Sequence, residues 1–509
     1  MVQIFIGMSI VFLIIVFGLG YIAFKRTEAT PQEYFSGGGT LGTIVLFGTM
    51  FATIQSAFAL LGLPQSGYID GYGMLLGLPF GCAFLGIAIG FLGPRVWKAG
   101  RKFNFITVSD FLSHRFQSNT VGIIYWISAL GFLAPFIGLQ IIGGGITIQI
   151  ATGGAVTYIQ AMWIMLAIIV LYTLFGGLRA VAWNDTIQAF IMITAVVTAL
   201  ILILRTVGFS NVETELSKLN SLELLTMPGP NGVWTFKYAI SYGLLCTVGG
   251  LIWPQAFTRL YMSKDTNAFK AQAVWFPIAC ILLLFSAVTI GVFAVTILPD
   301  IENTNQVLPI LAMHLFNPYI ASFVLIGVIS ALMSTSSSQL LAVSAIFTQD
   351  IYKKHINPNA SHANQTLVGR ISLVVFALIA GIIAMNPPSL VVWIGTFSIQ
   401  GILALLPVIL CGLFWKETTK AGAVAGSFVG LFVMVGLLAN ILPSSLTFGF
   451  MPWVSSNIIT LLTVIIVSKF TNSFSEDHIQ SYFKLWKRDE EQYTNKSQPQ
   501  DLVSDSSVK

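Results

Sequence analysis

Apolar runs of about 20 residues recur from Val2 to Lys469, each long enough to cross a hydrocarbon core of roughly 30 Å as a helix. In a bilayer the backbone amides must be satisfied within a helix or a closed barrel, and no run shows the strict alternation of a barrel strand. The chain is therefore expected to be an all-α polytopic membrane protein. Thirteen spans are expected, near residues 3–24, 41–69, 74–94, 119–148, 156–177, 184–205, 237–258, 271–297, 318–346, 367–386, 389–413, 420–442 and 450–468. Composition agrees: 55% of the 509 residues are hydrophobic and 9% charged, where a soluble domain has roughly 25% charged.

Charge sets the expected orientation. Lys25/Arg26, Arg95/Lys98/Arg101/Lys102, Arg179, Arg259/Lys264, Lys353/Lys354, Lys416/Lys420 and the tail fall on one side of this map, with Arg205, Lys218 and Lys237 opposite. Lysine and arginine accumulate on cytoplasmic loops, so the N-terminus is expected outside and the C-terminus inside. The first run has no basic segment before it and is read as a retained span of a cell-membrane protein. Residues 101–117 are amphipathic and too polar to cross, which suits a segment lying along the inner surface. In the tail, Ile479, Phe483 and Trp486 at helical spacing predict one short interfacial helix, followed by disorder from Gln492 to Lys509.

The four cysteines and five histidines are scattered, without metal-ligand spacing. HExxH, GxSxG and GxxxxGK[ST] are absent from the sequence, and the spans hold no paired carboxylates, so neither a hydrolase nor an ATP-driven pump is supported.

The chemistry concentrates in 330–352, SALMSTSSSQLLAVSAIFTQDIY, with five consecutive hydroxyl side chains from Ser334 to Ser338. Ala331, Ser334, Thr335 and Ser338 lie at i, i+3, i+4 and i+7 and share one helix face. Such a face serves either close helix packing or the neutral oxygens a dehydrated cation needs. The second and seventh spans look interrupted: one holds Thr53, Gln55 and Ser56 with Gly62 and Pro64 following, the other Gly249, Gly250 and Pro254. Broken spans point to a binding site at mid-membrane, and an offset of five spans is the condition for an inverted repeat.

These residues carry a resemblance. FGGLRAVAWNDTIQ (175–188), MSTSSSQLL (333–341) with Asp350-Ile351-Tyr352, GLPQSGY (62–68), the segment 254–259 and LFWKETTKAGAVAG (413–426) occur in the order found in the sodium/solute symporter family, which includes sodium/proline, sodium/pantothenate and sodium/galactose transporters. The resemblance implies a leucine-transporter-like core of 5+5 inverted repeats over 41–415. It also implies a first span within 1–40, two further spans over 416–470, and a cytoplasmic tail at 471–509.

It further implies sodium as the coupling ion, held by backbone carbonyls of Ala52, Gln55 and Ala331 and the hydroxyls of Ser334 and Thr335. Asp185 matches an aspartate that helps the ion leave toward the cytoplasm; its other reading is a helix N-terminal carboxylate, with Arg179 as a possible partner. Where the proline type has an acidic residue this chain has Ile54, and Cys246 and Gly250 replace substrate-lining aromatics. A solute pocket is expected around Gln55, Ser56 and Phe58 with Thr247 and Trp253, and across at Ser398 and Gln400. The function implied is sodium-coupled import of a small organic solute, an amino acid or a carboxylate such as pantothenate, by alternating access. A membrane-embedded sensor and an uncoupled channel are the competing readings; the lipid bilayer is the one other partner expected, and no nucleic acid.

Overall fold

The computed structural model describes residues 1–25, 30–386 and 391–496. Its helices, in order, are α1 (Val2–Lys25), the bent pair α2 (Thr43–Ile54) and α3 (Phe58–Leu76), α4 (Leu78–Phe103), α5 (Val108–Arg115), α6 (Asn119–Ala151), α7 (Tyr158–Leu174) and α8 (Gly176–Val207). A second bent pair follows, α9 (Phe236–Ile252) and α10 (Pro254–Tyr261), then α11 (Asn267–Ile297), α12 (Pro318–Ile356), α13 (His362–Ala384), α14 (Trp393–Phe414), α15 (Lys420–Leu438), α16 (Pro452–Lys469) and α17 (Glu476–Lys496). Among the described residues ten helices are long and apolar enough to cross a membrane, or twelve with each bent pair taken as one span. The fifth of the thirteen expected spans is α7, shorter than the rest and joined to α8 through Gly177, whose φ of 56° breaks the helix. Residues 387–390, where the eleventh span was expected to begin, and Arg26 lie outside the described residues.

Short polar side chains start many of these helices. Thr157 with Gln160 and Thr107 with Asp110 form capping boxes on α7 and α5, and Thr235, Asn317, Ser361 and Thr419 accept amide hydrogens at the starts of α9, α12, α13 and α15.

The two breaks have different causes. Trp253 is extended (φ −61°, ψ 133°) because it precedes Pro254, which disfavours helical geometry in the residue before it, and the pair bends by 52° there. The first break has no proline: Gln55 turns extended (φ −80°, ψ 118°) seven residues before Gly62, and the pair bends by 61°. Side chains hold the freed amides, with Gln140 Oε1 of α6 accepting from Ala57 N at 2.7 Å and Ser56 Oγ from Phe58 N at 3.2 Å.

Glycines let the helices approach. A Cβ on Gly67 of α3 would lie 2.3 Å from Val288 O of α11, and one on Gly291 of α11 would lie 2.2 Å from Pro64 O. The two backbones therefore touch at the crossing. Gly67→Ala or Gly291→Ala must push them apart, and each is expected to destabilise the protein by about 1–3 kcal/mol. Thermal unfolding of purified protein checks this, with Gly7→Ala, which meets nothing within 4 Å, as control. Equal melting temperatures for all three would contradict the close crossing.

The basic face departs from expectation in two places. Residues 101–117 are not one amphipathic run: α4 continues to Phe103, Asn104 ends it in the left-handed region (φ 55°), and Thr107 starts α5. The tail helix runs to Lys496, past Gln492 where disorder was expected; 497–509 lie outside the described residues. It also docks on protein. Tyr482 OH is 2.6 Å from His114 Nδ1, and Lys98 and Lys102 donate to Leu485 O and Ser481 O at 3.2 and 2.8 Å. Beside it Arg115 is fully buried, donating from Nε to Gly412 O at 3.0 Å, and burial pulls its guanidinium down to about 10. It therefore stays protonated at neutral pH.

Candidate ion and solute site

The broken end of α2 meets the hydroxyl face of α12. Because the chain turns extended at Gln55, the last carbonyls of α2 lose their helical acceptor role and are free to face another ligand. Ser334 Oγ lies 2.9 Å from Ala52 O and 3.0 Å from Ala331 O, and Thr335 Oγ1 lies 2.8 Å from Gln55 O and 3.4 Å from Ala52 O. Ala52, Gln55, Ala331, Ser334 and Thr335 are all buried. Three carbonyl oxygens and two hydroxyl oxygens thus converge with no formal charge among them. This donor set fits a monovalent hard cation: the hydroxyl protons can rotate outward and leave oxygen lone pairs facing the ion.

About one helical turn further toward the basic face, at the level of Thr49 and Ser338, lies Asp185. Gly48 makes this possible, since a Cβ there would lie 2.6 Å from Thr186 Cα and would hold α2 away from α8. Asp185 Oδ2 accepts from Thr49 Oγ1 at 2.6 Å and from Arg259 NH2 at 2.9 Å, with Ser338 Oγ at 3.5 Å. Arg259 also donates to Thr49 Oγ1 and Gln255 O, each at 2.7 Å, and to Ser338 Oγ at 2.5 Å. The Asp185–Arg259 ion pair has no solvent exposure on either side. It joins α2, α8, α10 and α12 at one point.

This corrects two expectations. The partner of Asp185 is Arg259 and not Arg179, which instead pairs with Glu33 at 2.9 Å. Residues 179 and 185 are six apart on one helix, about 240° around it, and so face different ways. Arg259, counted above among the basic surface residues, is buried because α10 turns it inward. Asp185 and Arg259 are 74 residues apart in sequence, so no local signal announces the pair.

Beside the ion-facing oxygens lies a partly closed cavity. Gln55, Ser56, Phe58 and Trp253 line it, together with Ile54, Cys246 and Gly250, the three positions that depart from the proline type. It leaves about 40 Å³ in which the centre of a water molecule can move, space for roughly three waters. Phe58 stacks on Tyr242 at 6.4 Å, and Trp253 packs edge-on against Phe136 at 4.7 Å. The Trp253 indole N–H is buried without a protein partner.

Three expected pocket residues are not brought there. Thr247 Oγ1 sits 3.0 Å from both Gly81 O and Gly243 O, in the α4–α9 packing. Gln400 accepts from Trp453 N at 3.3 Å, facing α16. Ser398 is buried with an unpartnered hydroxyl, while its neighbour Ile399 lines the cavity.

Comparisons with known proteins give the family and the fold. The model of the sodium:solute symporter family matches residues 34–430. The chain is 30% identical to the sodium/pantothenate symporter of Escherichia coli (strain K12) over 475 residues, covering 91% of this chain and 96% of that one. It is 30% identical to the sodium/proline symporter of the same organism over 459 residues, covering 84% and 87%. Among solved structures, a Na+-coupled sialic acid symporter in a substrate-bound outward-open state superposes with a TM-score of 0.78 at 18% identity, over 92% of this chain and 98% of that one. A nucleobase-cation-symport-1 family transporter superposes at 0.61 and 15% identity, over 88% and 98%. These two carry the fold, which is the leucine-transporter-like one. The chain belongs to the sodium:solute symporter family: it is a multi-pass membrane protein that couples solute transport to sodium, and not an enzyme.

Proposed function

We propose that the transported sodium ion is held by the carbonyls of Ala52, Gln55 and Ala331 and the hydroxyls of Ser334 and Thr335, and that the solute occupies the adjoining cavity. The observation that carries this reading is the convergence of five uncharged oxygens where the broken end of α2 meets α12. Gln55 belongs to both sites. Its carbonyl faces the ion and its side chain lines the cavity. An ion bound there fixes the turn at 55–56 and with it the positions of Ser56 and Phe58, so sodium and solute favour the same geometry. The present cavity has room for roughly three waters, less than proline or pantothenate needs, so entry of either must move its walls.

The solute is an amino acid or a carboxylate, pantothenate being the first to test. The unpartnered Trp253 N–H offers a donor to a carboxylate, and the two E. coli relatives are named for proline and pantothenate. The core spans 41–415, flanked by the first span and two after it. The N-terminus lies outside and the C-terminus in the cytoplasm, supported by the basic residues gathered around α5 and α17. Asp185, one turn inward of the ion, acts on release toward that side.

One set of ion-facing oxygens implies one sodium per solute. For a zwitterion, a tenfold sodium gradient contributes about 1.4 kcal/mol and 100 mV about 2.3 kcal/mol more, supporting roughly 500-fold accumulation. For a monoanion no net charge moves, and accumulation is limited to about tenfold. Currents on solid-supported membranes test this: a transported zwitterion carries inward current and a transported monocarboxylate almost none. Inward current with a monocarboxylate would require a second cation and contradict the single site.

A further inference from the structure

On the lipid-facing side of the same region a second concavity opens between α4, α9 and α14. It is about 470 Å³, and beside Cys411 and Trp415 its walls are Ala88, Phe91 and Leu92 of α4, Val248 of α9, and Leu410 and Phe414 of α14. All six are apolar. In water such a groove would drive association by burial alone, but in a bilayer acyl chains are as apolar as leucine, so an occupant is selected by fit and by its polar end.

The polar end is defined by Arg95. It follows Phe91 and Leu92 by one helical turn, and its guanidinium lies 4.2 Å from the Phe414 ring and 5.8 Å from the Phe91 ring, at the rim of the groove. Lys98 and Lys102 continue the same helix outward, and Lys416, exposed, follows α14. A concavity with carbon walls and a cationic rim on the basic side of a membrane protein complements one class of molecule, an acyl chain ending in a phosphate.

We propose that this groove binds an anionic phospholipid of the leaflet on the basic face, with one acyl chain against Leu92, Val248 and Leu410 and its phosphate at Arg95. The site has a route to transport, and this part rests on the solute cavity described above. Residues Leu245–Gly249 form a π-helical turn in which Leu245 and Cys246 face that cavity while Val248 faces the groove. The turn therefore lies between the two. A chain seated against Val248 supports the turn from behind, so turnover depends on the lipid.

Native mass spectrometry of the delipidated full chain, offered phosphatidylglycerol or phosphatidylcholine of equal chain length, tests the site without reference to any solute. Preferential retention of one phosphatidylglycerol, about fivefold or more over phosphatidylcholine, is expected. Ala88→Trp, which fills the groove from its wall, is expected to abolish that retention, and Arg95→Gln to bring it to the phosphatidylcholine level. Because Arg95 also stacks on Trp486 of the tail helix at 5.3 Å, Ala88→Trp is the decisive variant if Arg95→Gln does not fold.

Equal retention of the two lipids by the unaltered chain, or undiminished phosphatidylglycerol on Ala88→Trp, would overturn the proposal. So would a dimeric mass lost on Ala88→Trp, which would give the groove to a second copy of the chain. Sodium-driven uptake should be several-fold faster in phosphatidylglycerol vesicles for the unaltered chain and indifferent to headgroup in Ala88→Trp. Uptake indifferent to headgroup in both, with lipid retention as expected, would overturn the link through the π turn while the lipid site stands.

Discussion

Ser334→Ala and Thr335→Ala each raise the sodium concentration for half-maximal transport by about tenfold or more, with near-normal expression. In the proposed site each hydroxyl supplies one of five oxygens, and an interaction with a charged partner contributes about 1.5–3 kcal/mol, which is roughly 10- to 150-fold in an equilibrium constant. The cavity left by removing one oxygen is small, so folding is little affected. Ser336→Ala is the control. Its hydroxyl donates back to Leu332 O at 2.7 Å, within its own helix, and it faces away from α2. Sodium titrations of transport in the three variants check this. Unchanged half-saturation in both Ser334→Ala and Thr335→Ala would move the ion elsewhere.

Asp185→Asn slows turnover more than it weakens sodium binding at equilibrium. The carboxylate is a turn away from the proposed ion ligands and tied to Arg259, so in the proposed mechanism it does not hold the bound ion and acts on the way inward. The same pair has a structural role. Removing one member of a buried ion pair leaves the other uncompensated, at a cost of about 3–5 kcal/mol. Arg259→Met is therefore expected to lower thermal stability more than Asp185→Asn does, since asparagine keeps an acceptor for Thr49 and Arg259. Combining the two substitutions should recover part of the loss. Sodium affinity by calorimetry, turnover at saturating sodium and melting temperature separate these effects. A collapse of sodium affinity in Asp185→Asn with turnover intact would contradict the exit role.

Much of this was legible in the chain because its elements are long and the membrane restricts them. Span positions follow from apolar length, and the break at Trp253 follows from Pro254. The face of Ser334 and Thr335 follows from helical period alone. What escaped is non-local. The break in the second span lies at Gln55, well before Gly62 and Pro64, because Gln140 from α6 holds the amide there. No local signal announces that contact.

The ion pair escaped for the same reason: Asp185 and Arg259 are 74 residues apart and meet only once α8 and α10 have packed. Ser398 and Gln400 miss the cavity by one helical position on either side. Ile399 between them faces it, and each residue along a helix turns the side chain by about 100°.

In the proposed mechanism one ion, bound by the five oxygens, fixes the turn that lines the solute cavity. Equilibrium binding of a transported solute across a series of sodium concentrations tests it directly, in the unaltered chain and in the Ser334→Ala/Thr335→Ala double variant. Sodium is expected to tighten solute binding in the unaltered chain, and the double variant is expected to need at least tenfold more sodium for the same effect. Solute bound equally well without sodium, or the same sodium dependence in both proteins, would contradict it.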